Sequence, residues 1–401
     1  MNTKRILSVL LALVLALSAF GVAAQAENQP KKFKNVIMMI GDGMGENHLE
    51  LAKEQGYKLF MDANCDVRGQ SRTRSLSDSV TDSAAGATAL SCGVRCTNGQ
   101  LCLYSVDPFG IFFVPRIITE NAISHGMKTG IVTSDSTTGA TPAGYSVHVY
   151  DRGESEQITK QQLASKIDLI WGAKTDTAQR DAVEAAGFTY IETKADMDAL
   201  KPGSRSFGQF SGDTWRTKMP EGDASPKLVE MTVKAIELLN SDNENGFFLM
   251  VEGAHIDKNS HRTEDGVAHF DAKVADAANA VKGFDDAIKA AVKFARADGE
   301  TLVVVTADHE TGDLYLDNGV YTYHSGSHSG ANVPLLVYGC SDFVSPGEAI
   351  DNKQVPVRIA EKLGWDEAEL PAMDLGIVMR VLVPLLNALT NSLKTIERPA
   401  A

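Results

Sequence analysis

Positive charge is in short supply in this chain. Its 38 lysines and arginines face 52 aspartates and glutamates, a formal net charge of −14. That balance argues against nucleic-acid binding, which needs many cationic contacts to phosphates, and against general attraction to anionic lipid. An anionic substrate would need a strong local positive field, of the kind bound metal supplies. Cysteine is scarce too: Cys65, Cys92, Cys96, Cys102 and Cys340, an odd number whose connectivity the spacing does not give. Cys92, Cys96 and Cys102 cluster in sequence but have no fourth ligand at zinc-finger spacing. Internal repeats and low-complexity segments are absent. The glycines of Gly41-Asp42-Gly43-Met44-Gly45 follow an apolar strand but lack the spacing of a dinucleotide fingerprint. The apolar stretch Leu375 to Leu393 is interrupted by Arg380 and Pro384, so it is not read as a transmembrane span; an amphipathic helix docked on the body fits it better.

Residues 1–26 have the form of a secretory signal peptide. Lys4 and Arg5 give the charged start, Ile6 to Phe20 the apolar run, and Ala24-Gln25-Ala26 the small-residue cleavage pattern. No cysteine follows the apolar run, which argues against a lipoprotein. The expected location is therefore secreted, periplasmic or cell-surface. With 43% hydrophobic residues over 401 positions the chain can bury a large core.

Strands and helices alternate for most of the length, which points to an α/β fold. Val36 to Ile40, Phe247 to Val251 and Thr301 to Thr306 read as short buried strands, with further strands over Thr129 to Thr133 and Val333 to Tyr338. Helices are expected over Val114 to His125, Ser225 to Asn240, within Asp265 to Ala297, and over Val355 to Leu363. Glu156 to Gln209 alternates weakly and reads as an extension of the sheet. Leu314 to Tyr323 reads as a hairpin turning at Asn318-Gly319.

The chemistry-bearing stretch is Val80-Thr81-Asp82-Ser83-Ala84-Ala85. It puts a serine at the head of an alanine-rich helix, among unpaired N–H groups that stabilise anions. Read alone, Ser83 or Asp82 simply caps the helix. Three buried strands, however, run into Asp42, into the Glu252 to His261 group, and into Asp308-His309. In a parallel sheet the loops after neighbouring strands lie together, where they could build two Asp/His zinc sites and a harder, oxygen-only site.

These motifs together resemble the alkaline phosphatases, secreted metallohydrolases of phosphate monoesters. The resemblance runs from about Lys34 to about Trp365. It rests on Ile40-Gly41-Asp42-Gly43-Met44-Gly45, Val80 to Ala85, Ala140-Thr141-Pro142-Ala143, Glu252 to Asp257 with His261, Thr306-Ala307-Asp308-His309 and His328-Ser329-Gly330. It implies a three-layer α/β/α sandwich with a large, mostly parallel central sheet, a catalytic domain over 27–370, and a C-terminal extension over 371–401. It also implies Ser83 as nucleophile, passing through a phosphoserine. Asp42, Asp308 and His309 would hold the zinc that activates Ser83. Asp257, His261 and His328 would hold a second zinc, and Asp42, Thr141 and Glu252 a magnesium ion. Arg152 would clamp the phosphoryl oxygens, oriented by Asp82. Lys258 is an outer phosphate contact in this reading, and a homodimer is compatible with it. The rivals are a phosphodiesterase or sulfatase of the same superfamily, or a protein that only binds phosphate and metal. Retention of Ser83 beside a full zinc set speaks for an enzyme, and Arg152 suits the free oxygens of a monoester.

The sequence departs from the family pattern at Gly139. Two residues before the magnesium threonine the family offers a carboxylate or histidine, so a weak third site is expected here, with space for water or for Lys258. His324 rivals His328 as ligand; His328 is preferred because His-Ser-Gly followed by Val333-Pro334 fits the family motif.

Overall fold

The structure is a computed structural model and describes residues 33–106, 111–261 and 270–366, with backbone alone for 104–106, 111–112 and 270–273. The signal peptide expected over 1–26, the extension over 371–401 and the apolar stretch within it lie outside the described residues.

Ten strands make one sheet. In chain order they are β1 (Asn35–Ile40), β2 (Val67–Arg72), β3 (Lys128–Ser136), β4 (Leu169–Ala173), β5 (Thr189–Ile191), β6 (Ser206–Phe210), β7 (Phe247–Glu252), β8 (Thr301–Thr306), β9 (Val333–Tyr338) and β10 (Ala349–Asp351). Their order across the sheet is β10-β2-β9-β8-β1-β7-β3-β4-β6-β5. β9 runs antiparallel to both β8 and β2; every other neighbouring pair is parallel. The weakly alternating region supplies β4, β5 and β6 and extends the sheet, as expected.

Continuous apolar runs form the central strands because both faces of the sheet are covered. Alternate residues of β1 separate onto the two faces. Ile37 and Met39 join Leu249, Val251, Val303 and Val305 in a core shared with the helices Leu228–Asn240 and Phe270–Asp298. Val36, Met38 and Ile40 join Phe248, Met250, Leu302 and Val304 in a second core, capped by Leu90, Ile118, Val355 and Ile359. The result is the three-layer α/β/α sandwich.

Element ends differ from the sequence expectation in places. The helix expected from Val114 runs over Ile118–Ser124, with Ile117 as its extended N-cap at φ −83° and ψ 143°. Pro115 keeps Val114 out of the helix, since the residue before a proline is pushed out of the helical region. The hairpin is as read, with strands Leu314–Asp317 and Val320–Tyr323 and positive φ at Asn318 and Gly319.

The register sets the site. Ile40 of β1 pairs with Thr306 of β8 and with Glu252 of β7, and Glu252 pairs with Thr133 of β3. Asp42, Glu252 and Asp308 therefore emerge side by side at the carboxyl rim of the sheet, where open α/β folds gather ligands.

Candidate active site and metal centre

Ser83 opens the helix Ser83–Cys92 and is buried at its N-terminus. Its Oγ lies 3.1 Å from His309 Nε2. The N-cap is Asp82, whose Oδ1 accepts the Ala85 N–H at 3.0 Å. Asp82 Oδ2 accepts the Gly99 N–H at 3.0 Å and Arg152 Nη1 at 3.0 Å. Arg152 is itself anchored by its main-chain N–H on the Gly99 carbonyl. Burial disfavours its charge, but Asp82 more than offsets that and raises the guanidinium's pKa.

Two groups of ligating atoms lie here, one of them in contact with Ser83 through His309. Asp42, Asp308 and His309 form one, fully buried; Asp257, His261 and His328 form the other, nearer the surface. His309 Nε2 is 3.3 Å from Asp308 Oδ2 and 3.5 Å from Asp42 Oδ1. His261 Nε2 is 3.1 Å from the Asp257 carboxylate, and His328 Nε2 is 3.5 Å from it. The rings of His309 and His328 stack with centroids 3.5 Å apart, which brings the two groups together.

The far nitrogen of each of the three histidines has an oxygen partner that leaves Nε2 facing the carboxylates. His328 Nδ1 faces the Thr81 carbonyl at 3.0 Å and His261 Nδ1 the Gly326 carbonyl at 2.9 Å. His309 Nδ1 lies 3.2 Å from Thr311 Oγ1, whose hydroxyl donates to Asp257 Oδ1. Hydrogen on Nδ1 in each case would leave the Nε2 lone pair available to a bound metal, the usual arrangement around such an ion.

The carboxylates ask for a cation. Asp42 Oδ1, Asp308 Oδ2 and Glu252 Oε1 are buried with no hydrogen-bond partner. Burial, then Asp308, Asp257 and Glu252, push Asp42 well above the usual carboxylate range. Burial, followed by Asp135, pushes Glu252 up to about 8. Asp257 is the exception: burial opposes its charge, yet the hydrogen bonds from His261 and His328 hold it well below the normal range. Unpaired buried carboxylates are costly, and a divalent ion reverses that cost. The donor set therefore fits divalent metal ions.

The residues expected at an oxygen-only site also lie close to one another. The Thr141 hydroxyl reaches Asp42 Oδ2 at 3.4 Å. Glu252 Oε2 accepts the Thr133 hydroxyl, leaving Oε1 free. Gly43 allows the close approach of the metal loops: its φ is +72°, and a Cβ there would sit 2.6 Å from Thr311 Oγ1 and 2.8 Å from Asp257 Cβ.

Asp42, Asp308, His309, Asp257, His261 and His328 lie in the two groups of ligating atoms, Ser83 contacts His309, Thr141 contacts Asp42, Arg152 is held by Asp82, and Lys258 pairs with Asp135. His324 joins neither group: its Nδ1 hydrogen-bonds Tyr315 Oη at 2.9 Å and its ring stacks on Tyr315. Cys92, Cys96 and Cys102 join no metal group among the described residues, and all five cysteines are free thiols. One expectation needs correction. The space beside Gly139 does not stand open: Asp135 occupies it and pairs with Lys258. Sequence reasoning missed Asp135, along with Thr311 and Thr133, because single serines, threonines and aspartates near a strand end carry no distinguishing signal.

The family model described as alkaline phosphatase matches residues 33–168 and 160–331. Alkaline phosphatase 4 of Bacillus subtilis is 33% identical over 325 residues, covering 75% of this chain and 67% of that protein. Alkaline phosphatase of Escherichia coli is 32% identical over 349 residues, covering 70% of each. Among solved structures, a variant of the TAB5 alkaline phosphatase with magnesium bound in its M3 site is 30% identical, with a TM-score of 0.66 over 84% of this chain and 100% of that one. The Thermus thermophilus alkaline phosphatase, 21% identical, has the same fold, with a TM-score of 0.70 over 88% of this chain and 97% of that one. Relatives of this kind make the chain a phosphatase. By its family match, its sequence relatives and its sheet, the chain belongs to the alkaline phosphatase family.

Proposed function

We propose that the chain hydrolyses phosphate monoesters to an alcohol and inorganic phosphate, through a phosphoserine on Ser83. The observation that carries this reading is the position of Ser83 Oγ, 3.1 Å from His309 Nε2, a member of one cluster of ligating atoms whose ring stacks on His328 of the other. Arg152, held by Asp82, offers its planar fork to two phosphoryl oxygens. Ser83 Oγ forms a bond to phosphorus as the ester oxygen leaves on the opposite side. Water then attacks the same phosphorus, and the Oγ–P bond breaks.

Asp42, Asp308 and His309 would hold one zinc; Asp257, His261 and His328 would hold the second; Asp42, Thr141 and Glu252 would hold magnesium. Bound there, such ions lower the pKa of the serine hydroxyl and of water, and neutralise the departing oxygen. The chain's own part is to fix geometry: helix Ser83–Cys92 aims the nucleophile, and the backbone carbonyls of Thr81 and Gly326 fix two of the histidine rings. The pattern over residues 1–26 supports export, and no helix among the described residues is long and apolar enough to cross a membrane.

The test is phosphate release from an aryl monoester, a diester and an aryl sulfate, with zinc and magnesium content measured on the same preparation. Preference for the monoester and acid-stable labelling of Ser83 are expected. A diester or sulfate preference would move the chain to another branch of the superfamily, and zinc without turnover would leave a binding protein.

A further inference from the structure

The third cation site has a departure at Gly139 and, four residues earlier, a carboxylate that answers it. A Cβ on Gly139 would lie 2.4 Å from Asp135 Oδ2 and 2.8 Å from Asp135 Cγ. Asp135 thus fills the volume that a side chain at position 139 would take.

The backbone is shaped to bring it there. β3 pairs with β4 in register up to Val132 against Trp171 and resumes at Ser136 against Ala173. Thr133, Ser134 and Asp135 therefore face the single residue Gly172. Extra residues of this kind turn side chains out of the strand's alternation and are common beside active sites. Gly172 permits the bulge, since a Cβ there would be 2.6 Å from the Asp135 carbonyl oxygen. The bulged segment is tied to the site: Thr133 Oγ1 accepts the Asp135 N–H at 2.7 Å while its hydroxyl donates to Glu252 Oε2.

Asp135 also binds the neighbouring cation. Its Oδ1 pairs with Lys258 Nζ and accepts the Ser136 N–H at 2.6 Å, and Oδ2 is turned toward Gly139. Lys258 also feels the charges of Glu252 and Asp42, so this pair fixes an ammonium beside those carboxylates.

We propose that Asp135 supplies the third-site carboxylate that position 139 lacks, completing a magnesium site with Asp42, Thr141 and Glu252 while holding Lys258 beside it. The inference rests on the phosphatase reading above. It replaces the expectation that this site is weak for want of a side chain. It also reverses what a carboxylate at 139 would do, because that space is already taken.

The experiment is magnesium titration of the zinc-loaded enzyme by calorimetry, for wild type, Asp135→Ala, Asp135→Asn, Gly139→Asp and the double variant D135A/G139D, with zinc content per chain as the control for an intact site. Asp135→Ala and Asp135→Asn are expected to weaken magnesium by about tenfold or more with zinc retained, as loss of an acidic partner around a metal does. Gly139→Asp alone should bind no tighter than wild type, and D135A/G139D should recover most of the loss by moving the carboxylate back. Asp135→Asn keeps the shape of the side chain, so it decides the matter if the alanine variant does not fold. Magnesium affinity within twofold of wild type in the asparagine variant overturns the proposal, as does a Gly139→Asp protein that binds tighter. Wild type that holds zinc but neither binds magnesium nor cleaves monoesters overturns the phosphatase reading itself, and this inference with it.

Discussion

Asp82 binds Arg152 with the same carboxylate that caps the helix headed by Ser83. Oδ1 takes the Ala85 N–H and Oδ2 takes Arg152 Nη1, each at 3.0 Å. The position of the serine and the direction of the guanidinium are therefore one structural variable. Asp82→Ala should cost about 1 kcal/mol of stability for the lost cap and raise the inhibition constant of inorganic phosphate. Arg152→Ala should raise that constant too, and the two effects should not add, since the residues act as a pair. An unchanged phosphate constant in Arg152→Ala removes it from the site; strict additivity breaks the coupling.

Ser83→Ala should keep metal binding at both ligand clusters and lose turnover by on the order of 10³-fold or more, the scale on which removal of a nucleophile acts. Rapid-quench labelling with phosphate checks it. If acid-stable label still attaches to the variant, another residue is the nucleophile.

The two candidate histidines separate cleanly. His328→Ala should lower zinc affinity at least tenfold, while His324→Ala should leave it unchanged, because the His324 ring is engaged with Tyr315. Zinc per chain after dialysis against a weak chelator measures this, and the opposite pattern would exchange their roles.

Thr311 joins the two clusters, with its hydroxyl between His309 Nδ1 and Asp257 Oδ1. Thr311→Val keeps the shape and loses both contacts. A drop of about 10- to 100-fold in zinc affinity is expected. Zinc binding equal to wild type would reduce Thr311 to packing.

His48 gives a pH dependence outside the ligand set. Its Nδ1 accepts the Gly45 N–H at 3.1 Å, so the neutral ring donates from Nε2 to Ser260 Oγ at 3.0 Å. Burial lowers its pKa to about 4 from an ordinary 6.5. The unfolded chain takes up a proton near the ordinary value and the folded protein only near the lowered one. The stability that His48 contributes is thus complete above about pH 6.5 and is lost as the pH falls toward 4, by on the order of 3 kcal/mol. His48→Asn should flatten this part of the urea-unfolding profile between those pH values. Identical pH slopes in the two proteins would refute it.

Much of this site was readable in the sequence, and the reason is specific. Val36 to Ile40, Phe247 to Val251 and Thr301 to Thr306 are central parallel strands covered on both faces, so they stand out as unbroken apolar runs. Whatever follows them lands on one rim, which is why Asp42, Glu252 and Asp308 could be grouped in advance. β2 could not be recognised, because Val67–Arg72 is mostly polar with residues half-buried. Asp135 was hidden for another reason. Its role depends on a bulge between Val132 and Ser136, and a bulge comes from pairing with a strand over thirty residues away, not from local composition. Thr311 is meaningful only through two partners brought in from elsewhere in the fold.

The unpartnered oxygens of Asp42, Asp308 and Glu252 at the end of the apolar central strands have a consequence for motion. Strip the cations and the repulsion is confined to one rim, while both cores beneath the strands remain intact. Loss of metal should therefore open the protein locally. Amide hydrogens in the loops after β1, β7 and β8 would exchange quickly, and those inside the strands would stay protected, since regions of a fold open with separate free energies. The metal-free protein would then be a folded body with a loosened edge, ready to close again when ions return.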